Sequence, residues 1–248
     1  MKVQSSKLKV QSFRFGVGLI GLLIIALLGA IYFGSEKLSF LDLTKAQQRI
    51  LFDIRLPRVL LGAAVGASLA VAGASLQSLL RNPLAEPYLL GVSNGAALGT
   101  MLAFVFFANS EFARPIFSIA GASLATVAVY QMAKSRAGMN TERLVLSGVI
   151  VTTFLSSVLV LLTSLLDSTK LRSFTFWLLG DLSQATTNGY ILTGIAVILG
   201  TILLSSQAKA LNLMMIGERD AFDFGVEVGR VRLIVFATAS ALVGISVA

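Results

Sequence analysis

The sequence contains neither cysteine nor histidine. Their absence excludes thiolate and imidazole metal sites, Cys or His nucleophile–base pairs, and disulfides. Charge is also scarce. Asp, Glu, Lys and Arg make up 13% of the chain, against about 25% in a soluble domain. No G-x-x-x-x-G-K-[ST] stretch occurs, so no phosphate cradle of that kind is built. The long apolar runs carry no Asp, Glu, Lys or Arg in their membrane-embedded parts, Arg58 at the start of one of them counting as external. A proton- or charge-coupled carrier usually keeps such a group inside the bilayer, where its cost is tolerated only for function. A sodium-coupled carrier can manage with carbonyls. With neither ion relay nor nucleotide site visible, an energy source, if one is needed, must come from a partner.

What is present is apolar surface. Hydrophobic residues make up 56% of the chain and its mean hydropathy is +0.85, the composition of a membrane protein. Seven apolar runs follow one another: 15–33, 57–80, 88–108, 115–132, 144–166, 190–206 and 233–248. The first is long enough to cross a bilayer and too long for the core of a signal peptide. It contains Gly16-Val17-Gly18-Leu19-Ile20-Gly21. That G-x-G-x-x-G string lies inside a span with no strand before it, so it is not a dinucleotide site. The last run has 16 residues, short of the roughly 20 needed to span.

The net charge of +8 is read as topology rather than nucleic-acid binding. With the N-terminus inside, twelve Lys and Arg fall on internal segments and eight on external ones, in the sense of the positive-inside rule. Residues 34–56 form an external loop with an amphipathic helix near 45–54, and Pro57 opens the second span. The lone Trp177, in the external segment 167–189, reads as an interfacial anchor. Residues 209–232 are too charged to span, and they read as two short amphipathic helices on the internal face.

Residues 55–100 organise the rest. Gly62, Gly66, Ala70 and Ala74 recur at fourfold spacing on one helix face, and Gly91, Gly95 and Gly99 on the next. Such faces let helix backbones approach closely, and the pair is read as a tight hairpin. Pro83 and Pro87 interrupt it and push Asn82 and Glu86 away from helical geometry. Ser93 and Asn94 either cap backbone or face a water-filled path.

At these residues the chain resembles the FecCD-type permeases, membrane subunits of ATP-binding-cassette importers for ferric siderophores, haem and cobalamin. RLPR at 55–58, RNPLAEPYLLGVSNGAALG at 81–99, LVLSGV at 144–149, FWLLGDLS at 176–183 and LNLMMIGERDAFDFGV at 211–226 carry the likeness. The resemblance implies an all-α polytopic membrane bundle with the type II importer permease fold. It implies one permease domain over 1–248, with coupling helices at 209–230. The permease would pair with a second protomer, two cytoplasmic ATPase subunits and an external or periplasmic binding protein, in the inner (plasma) membrane. ATP and magnesium would belong to the ATPase, with no cofactor or metal on this chain and no nucleic-acid partner.

The resemblance also assigns residues. Arg55 and Arg58 would dock the binding protein, a role suited to bidentate guanidiniums. Asn82 and Leu84, with Asn140 and Thr141, would form the cytoplasmic gate. Leu213, Met214, Met215 and Phe222 would give the ATPase an apolar contact, beside Gly217 and the rim Glu218, Arg219 and Asp220. Phe222 stands where many relatives are polar. Family members run to about ten helices, of which about seven are present here. That reads as a chain incomplete at its C-terminus, and one reading is a chain that does not transport alone.

Overall fold

The structure is a computed structural model. It describes all residues except 1, 35, 37–43, 87, 89, 90, 108, 109, 111, 136, 137, 140, 183–186 and 248. Its helices are α1 (Lys2–Tyr32), α2 (Lys45–Arg49), α3 (Leu56–Leu80), α4 (Val92–Phe106), α5 (Ala113–Ala133), α6 (Thr141–Leu165), α7 (Ser168–Leu178), α8 (Thr187–Ser206), α9 (Ala208–Ile216), α10 (Glu218–Asp223) and α11 (Val228–Val247). A two-residue antiparallel ladder, Lys134–Ser135 with Gly138–Met139, bridges α5 and α6. Six helical stretches among the described residues are long and apolar enough to cross a membrane.

The chain divides into two units, 1–63 with 182–190, and 64–181 with 191–248. In the first unit, α1 is apolar on all sides from Phe15 onward and exposes Leu19, Ile20, Leu22, Ile24 and Leu28. Such a helix needs lipid or a partner around it. Thr44 starts α2 with a capping box: its hydroxyl accepts from Gln47 N–H, and the Gln47 carboxamide accepts from Thr44 N–H. The helix then continues as a π-helical segment, Ile50–Arg55, into α3.

Pro57 therefore does not open the second span; it sits inside a helical run of 36 residues, Lys45–Leu80. Its ring would meet the Asp53 carbonyl in regular α geometry and cannot supply the N–H that carbonyl needs. The wider π register, in which Leu56 N–H reaches back to the Leu51 carbonyl, accommodates the ring just before it arrives.

In the second unit, α4 packs most extensively on α5, with α6 and α11 completing the core. Val92, Ala96, Ala122, Ala125, Val129, Leu144, Val235, Phe236 and Val243 are buried there. A smaller cluster joins Ala97, Met101 and Phe174, with Trp177 against it. Trp177 stacks on Phe174 at 5.8 Å between ring centroids. The segment after α6 is thus built around a helix, α7, on which Phe174 is buried and Trp177 half-buried against it. The seventh span starts earlier than the apolar run suggests. α11 begins at Val228 and runs for 20 residues, because Arg232 at its start is buried and paired rather than solvated.

A candidate gate and coupling site

The small-residue faces divide in the structure. Gly95 and Gly99 lie directly on α5: a Cβ at Gly99 would fall on the Phe117 carbonyl, and one at Gly95 on the Gly121 carbonyl. The close approach expected of α4 with the preceding helix is thus made with the following one. Gly91 lies outside the helix as its N-cap, at φ 74°, a conformation favouring glycine. A Cβ at Gly62 would be 3.4 Å from Leu182 Cδ1, whereas Gly66 has nothing within 4 Å. Gly66 therefore makes no close packing among the described residues, because its face of α3 is open there.

Neither Ser93 nor Asn94 makes a side-chain cap at the start of α4. Asn94 Nδ2 donates to the Thr152 carbonyl at 3.0 Å and to Ser156 Oγ at 2.7 Å, tying α4 to α6. Ser93 Oγ is buried without a partner among the described residues.

The turn after α3 is a Schellman stop. Asn82 N–H donates to the Gln77 carbonyl at 3.1 Å and Arg81 N–H to the Ser78 carbonyl at 3.4 Å. Arg81 takes the left-handed position at φ 50°, where glycine is usual and another residue costs about 1–2 kcal/mol. Asn82 Oδ1 accepts from Leu84 N–H at 2.9 Å, and the Asn82 carbonyl accepts from Ala85 N–H at 3.0 Å. These bonds hold Leu84 out at 80% exposure while Ala85 is buried.

Arg81 points to the first residue of α10. Its Nη2 lies 3.6 Å from Glu218 Oε1. The same oxygen accepts from Arg232 Nη2 at 2.6 Å and lies 3.5 Å from Thr141 Oγ1. Arg232 Nη2 also donates to Thr141 Oγ1 at 3.4 Å. The α3 turn, the start of α6, the start of α10 and the start of α11 thus meet at one carboxylate. Its place at a helix N-terminus is electrostatically favourable as well.

The structure brings Thr141 to this cluster; Asn140 lies outside the described residues. Arg232 is the functional candidate the sequence reading missed. The signal was an arginine two residues ahead of the last apolar run, in Gly229-Arg230-Val231-Arg232.

The proposed ATPase contact is rearranged. Met214 is 1% exposed and Leu213 packs against the same core, so both serve the fold of this chain. Glu218 turns inward to the two arginines. Met215, Phe222, Arg219 and Asp220 remain exposed. Gly217, extended between α9 and α10, leaves room for Asp220 Oδ2, which would be 2.6 Å from a Cβ there. The apolar face that projects outward is accordingly Met215, Ile216, Phe222 and Phe224.

Arg55 and Arg58 also differ from each other. The Arg55 guanidinium donates to the Ile31 carbonyl at 3.1 Å, the Tyr32 carbonyl at 3.3 Å and the Glu36 carbonyl. It closes the C-terminus of α1, where orphan carbonyls collect. Arg58 is exposed, with Nε donating to the Leu182 carbonyl at 3.2 Å.

The chain is similar to several permeases. It is 37% identical to the cobalamin import system permease protein of Halobacterium salinarum, across 81% of this chain and 54% of that protein. It is 36% identical to the hemin transport system permease protein of Yersinia pestis, across 93% of this chain and 72% of that protein. The vitamin B12 import system permease protein of Vibrio cholerae is also 36% identical, across 93% and 70%. The chain spans about half the length of the first of these relatives. A solved metal-chelate type ABC transporter in an inward-facing conformation superposes with a TM-score of 0.84 at 31% identity, over 94% of this chain and 75% of that one. The all-α fold is thus that of such a permease, in a multi-pass membrane protein. The family model of the FecCD transport family matches residues 22–248, and the chain belongs to that family.

Proposed function

We propose that this chain is the membrane-spanning permease subunit of an ATP-binding-cassette importer, and that its cargo is an iron complex, a siderophore or haem. The observation that carries the reading is the pair α9–α10, broken at Gly217, in a chain of the FecCD family. It projects Met215, Ile216, Phe222 and Phe224 outward with Arg219 and Asp220 beside them. An apolar patch rimmed by charge, on a segment too polar to span, suits docking to a soluble partner.

In this reading the partner is one of two cytoplasmic ATPase subunits, which hold ATP and magnesium. A second permease protomer completes the pore. The N-terminus lies in the cytoplasm and the membrane is the cell's inner (plasma) membrane. An external binding protein docks near Arg58, with Arg55 beside it, and Asn82 and Leu84 close the pore on the inside with the segment at Asn140 and Thr141. Movement of the docked ATPases displaces α9–α10, and the gates alternate.

Cobalamin is the second reading of the cargo. It is supported by the names of relatives as similar to this chain as the hemin permease. The test reconstitutes the chain with its cognate ATPase and binding protein in proteoliposomes. ATP-dependent uptake of a ferric siderophore or of haem is expected. Uptake of cobalamin alone would replace the iron reading, and uptake that follows a sodium or proton gradient without ATP would overturn the importer reading.

A further inference from the structure

We propose that Glu218 acts inside the chain as a positioning residue, joining α10 to the Arg81–Ala85 turn, so that displacement of α10 reaches Leu84 through the Arg81 ion pair. The inference rests on the permease reading for its purpose, though not for its geometry.

The cluster is unequal on its two sides. Toward α11, Arg232 is 3% exposed and its Nη2 is 2.6 Å from Glu218 Oε1. Its Nη2 also donates to Thr141 Oγ1 at 3.4 Å. Neighbouring Val231, Val235 and Phe236 are buried and fix the helix that carries it. Toward the turn, Arg81 is 3.6 Å away with its side chain 37% exposed. A desolvated, short, charge-assisted bond outlasts a longer, wetter one.

When α10 is displaced, the Arg81 contact is therefore the first to part. Arg81 is also the residue held at positive φ. Once its guanidinium is free, nothing at the side-chain end offsets that conformation, and the turn relaxes. Asn82 and Leu84 move with it, because the Asn82 side chain fixes the Leu84 amide. Thr141 hydrogen-bonds into the same cluster, so the start of α6 is affected by the same event.

The test uses the absence of cysteine. Leu84→Cys and Phe222→Cys, both at exposed positions, carry spin labels on the full chain in lipid nanodiscs. Their distance distribution is read by double electron–electron resonance. Arg81→Gln and Glu218→Gln should each raise the ratio of the displaced to the joined population by about fivefold, the equivalent of one weak ion pair. Arg230→Gln breaks an exposed pair with Glu227, the residue just before α11, and should change nothing. An unchanged distribution in Arg81→Gln and Glu218→Gln, or an equal change in Arg230→Gln, overturns the proposal. Should Glu218→Gln fail to fold, Arg81→Gln decides alone, because it keeps both the Arg232 pair and a non-glycine residue at the positive φ. The measurement needs no ATPase, nucleotide or cargo. Its failure leaves the permease reading standing, and failed transport leaves the distances as measured.

Discussion

Arg232 Nη2 and Glu218 Oε1 lie 2.6 Å apart, with the arginine side chain 4% exposed and the glutamate 43%. Breaking such a pair from the exposed side strands a charge in the interior. Loss of a fully buried partner costs about 3–5 kcal/mol. Solvent reaching Glu218 reduces this, so Glu218→Gln should cost about 1–3 kcal/mol. Adding Arg232→Met to it should recover most of the loss. Thermal unfolding in detergent of the single and double variants checks both expectations, and equal destabilisation in the two would contradict the stranded-charge account.

Helix contact at α4 offers a sharper contrast. Gly99→Ala places a methyl on the Phe117 carbonyl, with backbone on the far side that cannot yield as a side chain would. The expected cost is about 1–3 kcal/mol. Gly66→Ala, with nothing within 4 Å, should stay within about 0.5 kcal/mol of the native chain. Parallel denaturation curves of the two variants measure the difference.

Asn94 spans two helices with two hydrogen bonds. Side-chain bonds of this kind inside a membrane average about 0.6 kcal/mol each. Asn94→Leu should therefore lower stability by about 1 kcal/mol, and Ser156→Ala by about half as much. A double-mutant cycle should show that the two effects are not additive, since the Nδ2–Oγ bond is shared.

The start of α7 should depend on pH. Lys170 N–H donates to Asp167 Oδ1 at 2.9 Å, and this bond, followed by the Lys170 charge, holds the Asp167 carboxyl below its ordinary value. A carboxyl lowered by folding contributes stability above its unfolded pKa and loses it as pH falls through the folded one. Protection of the Lys170 amide, taken relative to its intrinsic exchange rate at each pH, should therefore fall below about pH 4. In Asp167→Asn, which still caps the helix, that dependence should vanish.

Arg55 and Arg58 should separate by assay. Arg55→Ala removes the donors that close α1, so amide exchange across Gly29–Phe33 should rise. Arg58→Ala should leave it unchanged. In a reconstituted importer, Arg58→Glu should weaken binding-protein affinity more than Arg55→Glu. The Arg55 guanidinium is already committed to carbonyls of its own chain. Exchange mass spectrometry and a titration of the binding protein give the two readouts.

The sequence by itself determined what solvates the chain and where the spans lie. Apolar length is a one-dimensional property, so α1, α5, α6 and α8 were legible from runs of residues. The stop at Asn82-Pro83 was equally local, since proline forbids helix continuation wherever it stands. Tertiary structure decided the partners. Fourfold glycine spacing shows that a face is flat but not which helix fills it, and α5 took the place assigned to α3. The pattern 209–232 gave the α9–α10 pair, but only packing decided that Met214 turns inward while Phe222 stays out. Arg232 looked like the internal edge of a span because, read alone, a charge belongs in water. Glu218, fourteen residues earlier, lets it remain inside, and Arg81 joins the same carboxylate from the turn after α3. Neither pairing could be read along the chain, because an ion pair is fixed by distance in space and by the water excluded around it.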